Sequence, residues 1–197
     1  AKGIALLDMT GDVPRYRYVF DISDTGTRQN ARTPFTWAIC EENRAPIAAM
    51  LEKEYEVSAD RGLAGQLEEI AMQKAMDYWQ EHQDELRDIV DGSLLMEYDE
   101  LNLELAFRNT ATTSVQYMLF SRCGLAEEHR FEPEDFTTIL EWNTPQALTA
   151  LGTAVSEISE EVLRSIEREA RSVERSKEHV ELQNGEPVSY THLTLPT

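Results

Sequence analysis

The spacing of apolar residues changes once along this chain, and the change divides it. Near the start the period is two. Residues 3–7 form a short apolar run, and Tyr16, Tyr18, Phe20 and Ile22 alternate with Arg15, Arg17, Val19 and Asp21. Alternation carried by aromatic and β-branched residues is the pattern of a half-buried strand. Two strands are therefore predicted, with a turn over residues 11–14, which include Gly11 and Pro14. Residues 24–36 are polar, contain Gly26 and Pro34, and read as a connector.

From residue 43 the period becomes helical. Asn43 is the expected cap, with Pro46 near the first turn, and residues 57–62 read as a loop. A long helix follows over 63–90, where Leu63, Leu67, Ile70, Ala71, Ala75, Tyr78, Trp79, Leu86, Ile89 and Val90 keep largely to 3–4 spacing. Asp91-Gly92 stops it, and Ser93 caps a short helical piece. The next helix runs from about Glu100 to Cys123, ends at Gly124, and is expected to turn Leu101, Leu105, Val115, Met118 and Leu119 inward. Pro133 opens a short turn with Phe136, Ile139 and Leu140. Thr144-Pro145 opens the most regular segment, with Leu148, Leu151, Val155, Ile158, Val162, Ile166 and Val173 on one stripe. Such a stripe is a packing face far more often than an autonomous coiled coil. Past residue 170 the segment turns charge-rich and is expected to project into solvent or toward a downstream region. The expected fold class is mainly α: a multi-helix domain over 37–180 preceded by a short β segment, α+β overall.

Charge sharpens this division. The net charge is −19, yet residues 1–36 hold five basic and four acidic side chains, and the remainder holds 13 basic and 33 acidic ones. A surface that negative repels phosphate backbones, which argues against broad nucleic-acid binding by residues 37–197. A solvated acidic face is its ordinary meaning. An acidic docking surface or a mimic of DNA that occupies a basic partner is the functional alternative. The 41% apolar fraction suffices for a packed core. Cys40 and Cys123 lie far apart without a CxxC pair, which points to a reducing, cytoplasmic compartment. No apolar run approaches the roughly 18–20 residues that span a membrane, so no membrane partner is expected. The chain opens on Ala1 rather than Met and reads as a piece with an upstream N-terminus. Residues 187–197 carry no charge apart from His192 and no helical period, and they resemble translated adapter read-through. They are expected to be a non-native tail and are set aside.

Candidate chemistry clusters where the second strand ends, at Asp21-Ile22-Ser23-Asp24-Thr25-Gly26. A phosphoryl-transfer loop of the DxDx type needs its second carboxylate two residues on, where Ser23 stands; Asp24, at +3, faces the other way on an extended chain. A calcium loop started at Asp21 reaches Ser23, Thr25 and Gly26 correctly but meets Arg32 where a bidentate glutamate belongs. Asp and Ser at a strand end more often satisfy turn amides. The histidines are His82, His129, His179 and His192, none four residues from another, so HExxH is absent. His129 lies among Glu127, Glu128, Glu132, Glu134 and Asp135, a patch that more often forms a solvated loop than a metal site. Cys123 sits in an apolar segment, as buried free cysteines do. No Gly-rich phosphate loop and no GxSxG occur.

Several segments, in order, resemble one family: "KGIALL", "RYRYVFDISDT", "TTSVQYMLFSRCGL" and "FTTILEWNTPQALTALGTAVSEISEEVLRSI". They are similar to ArdC-like antirestriction proteins and the related LtrC-like proteins of conjugative and integrative elements. The resemblance implies that residues 1–30 are the last strands of a single-stranded-DNA-binding domain. The cations available there are Lys2, Arg15, Arg17 and Arg28. It also implies that residues 37–180 are a metallopeptidase-like helical domain. That family's HExxH is missing here, and Ala111, Thr112 and Thr113 stand where its acidic ligand is expected. The expectation is a non-catalytic scaffold without metal or cofactor, acting by protein contacts with a partner the sequence does not name. The competing reading, an active metal-dependent peptidase, has only His82, His129 and Glu81 with nearby carboxylates to draw on.

Overall fold

The computed structural model describes residues 3–8, 15–19, 36–128 and 130–184. The chain divides into two compact units, Ala1–Thr36 and Trp37–Thr197. The first is a hairpin of β1 (Ile4–Asp8) and β2 (Arg15–Val19), antiparallel, with Ile4 opposite Val19, Leu6 opposite Arg17 and Asp8 opposite Arg15. Both predicted strands are thus present. The expected turn, most of the connector and the Asp21–Gly26 stretch lie outside the described residues.

The second unit is helical, as the 3–4 spacing predicts: α1 (Glu41–Tyr55), α2 (Gly62–Ile89), α3 (Glu100–Cys123) and α4 (Pro145–Asn184). Three short 3-10 segments, Ala59–Arg61, Leu94–Glu97 and Pro133–Glu141, join them. Local chemistry sets most boundaries. Ser93 Oγ accepts the Leu95 N–H at 3.2 Å, Asp99 Oδ1 accepts the Asn102 N–H at 2.8 Å, and Thr144 Oγ1 accepts the Ala147 N–H at 3.2 Å. Gly124 closes α3 at φ 71°, a left-handed conformation that glycine adopts without penalty. Asn43 is not the cap of α1. It is the third helical residue, and its Oδ1 accepts the Cys40 N–H at 2.8 Å while its Nδ2 donates to the Ala38 carbonyl at 2.9 Å. The helix starts earlier because Glu41 and Glu42 suit the positive end of a helix.

α2, α3 and α4 pack on one another around an aromatic centre. Phe107 lies between Trp79 and Trp142, with ring centroids 5.6 and 6.0 Å away, and Ala75, Leu86, Leu95, Leu103, Ala111, Leu151 and Ala154 complete the cluster. This centre corrects the expected face of α3. Leu101, Leu105 and Met118 are exposed (64, 44 and 44%), while Leu103, Ala106, Phe107, Thr110 and Ala111 are buried with Val115 and Leu119. Docking the Phe107 ring fixes the rotation of the helix, and the small residues beside it let α2 approach. Buried Thr110 closes its own hydrogen bond to the Ala106 carbonyl at 2.8 Å. On α4, Leu148 is likewise exposed and Ala147 takes the inward place; Leu151, Ile158, Val162 and Ile166 are buried as expected.

α1 packs against α2 and α4 at the other end of the bundle. Its Ile47, Leu51 and Tyr55 are buried. Buried Gln66 of α2 donates to the Ala48 carbonyl at 3.0 Å, and Ser165 of α4 donates to Glu54 at 2.6 Å.

Leu103→Ala is expected to cost about 2–5 kcal/mol of unfolding free energy, as for truncation of a buried leucine. Leu101→Ala, two residues away, is expected to cost less than about 0.5 kcal/mol. Urea denaturation of both variants checks this; equal losses would restore the helix face that leucine spacing suggests.

Candidate functional site

Two regions carry chemistry. The first is the hairpin. Every described side chain of β2 is exposed, Tyr16 and Tyr18 at 74 and 58%. Alternation along a strand puts Arg15 and Arg17 on one face and the two tyrosines on the other. Of the four cations that sequence reasoning assigned to nucleic acid, Arg15 and Arg17 share this strand. Lys2 and Arg28 lie outside the described residues.

The second is a groove along the seam between α2 and α4. The two helices run antiparallel, and Lys74 Nζ meets Glu161 Oε1 at 2.6 Å across them. From there the groove continues toward the start of α4. Its apolar part, about 500 Å³, is lined by Tyr78, His82, Glu85, Leu86 and Ile89 from α2 and by Pro145, Gln146, Thr149, Ala150 and Thr153 from α4. Its polar part, about 370 Å³, adds Lys74, Asp77, Glu81, Glu157 and Glu161. Tyr78 and His82 border both parts, with their rings stacked at 4.0 Å. His82 Nδ1 lies 3.0 Å from the Tyr78 carbonyl. A carbonyl only accepts, so Nδ1 carries a proton and Nε2 is the ring's other nitrogen for any further partner. Burial, together with the Glu157 carboxylate, pushes the Tyr78 hydroxyl up to about 12. It stays protonated.

The 3–4 spacing puts Tyr78 and Trp79 on the apolar face of α2, and the sequence reading weighs His82 as a metal ligand. Trp79 is core; Tyr78 and His82 are groove wall. The α4 side of the groove, made of threonines, Gln146 and Ala150, gave no signal, because small polar residues on a helix read as solvent face. Among the described residues, no three His, Cys, Asp or Glu side chains converge as a metal ion needs. Of the histidines, His82 alone has a described side chain, so the patch around His129 is not placed. Ala111 is buried in the core cluster.

The cysteines differ in environment. Cys40 is exposed, and its thiol donates to Glu42 at 3.0 Å. Cys123 is buried, and desolvation pushes its thiol up to about 12 against the smaller opposing effect of Arg122. No helix among the described residues is long and apolar enough to cross a membrane.

With this geometry established, comparison of the chain with protein-family models, curated proteins and solved structures gives no match.

Two measurements follow from the cysteines. A thiol reagent at pH 8 is expected to modify Cys40 in the folded protein and Cys123 only after unfolding. The folded thiol of Cys123 titrates above its unfolded value, so its contribution is complete below pH about 9 and is lost as pH rises toward 12. Stability relative to Cys123→Ala is expected to fall by roughly 1.4 kcal/mol per pH unit across that window, read by urea unfolding at each pH.

Proposed function

We propose that this chain is an ArdC/LtrC-like mobile-element protein that contacts single-stranded DNA through its N-terminal hairpin. Its helical unit serves, without catalysis, as a protein-contact module. The role is in antirestriction or in handling a transferred strand, in a reducing cytoplasmic setting. One observation carries the reading: β2 interleaves two exposed arginines with two exposed tyrosines. Single strands are bound by cations that track the phosphates and by aromatic rings on which bases stack. The helical unit has the opposite character. Its balance of 13 basic and 33 acidic side chains repels phosphates and favours protein partners.

The test is binding of a fluorescent oligothymidylate by the whole chain across a salt series. Arg15→Ala with Arg17→Ala is expected to weaken binding and to reduce the salt slope by about 1.4, near 0.7 for each phosphate that is no longer neutralised. Tyr16→Ala and Tyr18→Ala are expected to cost about 1–3 kcal/mol for each base unstacked while leaving that slope unchanged. Unchanged affinity and slope in the arginine double variant would defeat the proposal. Stoichiometric zinc in the purified protein, abolished by His82→Ala, would replace it with a metal-dependent peptidase.

A further inference from the structure

We propose that the open half of the α2/α4 seam receives a basic amphipathic helix of about three turns from a protein partner. This deepens the reading of the helical unit as a protein-contact module and rests on it.

The seam is one continuous furrow, and the chain fills only half of it. α1 lies on α2 and α4 up to the level where Tyr55 meets Ser165 and Lys74 sits 5.5 Å from the Tyr55 ring. There Glu56 adopts φ 58°, a left-handed conformation that ends the helix, and the chain turns back through buried Val57 into α2. Beyond that point no described helix covers the furrow. Tyr78 to Ile89 on α2 spans about 17 Å at 1.5 Å per residue, the length of a three-turn helix. The lining there suits a helix laid along it. Half-buried Ile89 and Ala150 offer apolar surface above buried Leu86, and exposed Thr149 and Thr153 let a backbone approach.

Charge selects the occupant. The groove is bordered by Asp77, Glu81 and Glu85 on α2 and by Glu157 and Glu161 on α4. Lys74 is the one Lys or Arg among these lining residues, and it is paired with Glu161. An apolar stretch edged by Glu85 runs past Tyr78 and His82 into an acidic stretch of Asp77, Glu81, Glu157 and Glu161. It fits a helix with a leucine-type stripe accompanied by Lys and Arg, its basic residues densest at the end over the acidic stretch. A second copy of this acidic unit would bring like charge against that stretch, which disfavours it as occupant.

The probe is a fluorescent, helical peptide of about 14 residues built from Leu and Lys, with Leu at i, i+3, i+4 and i+7, added to the whole chain at about 150 mM salt. Its counterpart replaces every Lys by Glu. Fluorescence anisotropy is expected to show saturable binding of the Leu–Lys peptide and none of the Leu–Glu peptide. Thr153→Arg and Thr149→Trp each fill the groove from an exposed position and are expected to weaken binding by about tenfold or more. Thr137→Arg, an equal charge change outside the groove lining, is expected to leave it within about twofold. Circular dichroism identifies which groove variant retains wild-type helicity, and that variant carries the conclusion. Equal weakening by Thr153→Arg and Thr137→Arg, no weakening by either groove variant, or binding of both peptides would overturn the proposal. So would a dimer in sedimentation that Thr153→Arg dissociates, since the occupant would then be a second copy. Oligothymidylate binding by the Arg15/Arg17 double variant is scored separately, so failure of the functional reading and failure of the groove are told apart.

Discussion

A mismatch of helix lengths governs the second unit. At 1.5 Å per residue, α4 runs about 60 Å, α2 about 42 Å and α1 only about 22 Å. α2 and α4 form a seam far longer than α1 can cover. α3 supplies the third wall along the aromatic centre, and α1 supplies a partial fourth where Ile47, Leu51 and Tyr55 are buried. Both the two-ended construction of the core and the open groove follow from that shortfall. Gln66 anchors the covered half, since its amide reaches the Ala48 carbonyl and, at 3.4 Å, the Val57 carbonyl that follows α1. One buried side chain thereby fixes both the position of α1 and the place where it must stop.

The uncovered half of the seam is tolerable to the free protein because of its composition. Had α4 presented leucines where it presents Gln146, Thr149 and Thr153, the seam would be a sticky apolar stripe. Small polar residues lower the cost of exposure, and the adjoining acidic stretch opposes association with like-charged copies. The ring stack of Tyr78 on His82 divides the apolar stretch from the acidic one. One turn further along, the ion pair of Lys74 with Glu161 ties the two helices.

Much of the helical unit was legible in the sequence because its boundaries use local chemistry: Ser93, Asp99, Gly124 and Thr144 each act within a few residues of themselves. The face of α3 was not legible. Leucines occur all around that helix, and the choice between Leu101 and Leu103 depends on where Phe107 meets Trp79 and Trp142 from other helices. Trp142 follows a 3-10 segment with no buried residue of its own, so no periodic pattern announced it. The groove was hidden for a related reason. A groove is a missing neighbour, and no residue encodes the length at which another helix ends. The hairpin arginines were legible as cations, but the exposure of the tyrosines between them was not; period two with aromatics read as half-buried.

The division of charge bears on how the proposed DNA contact must work. A unit with 33 acidic and 13 basic side chains repels a nucleic acid at any distance that screening allows, about 8 Å at physiological salt. Two arginines on one strand cannot reverse that field, so long-range steering of DNA toward this chain is weak. Contact therefore depends on short-range terms, and among the described residues of β2 those are the rings of Tyr16 and Tyr18. Stacking is insensitive to salt, whereas the repulsion of the acidic unit weakens as salt rises. The arginine contribution falls with salt while the opposing repulsion is screened, so the net slope measures their balance.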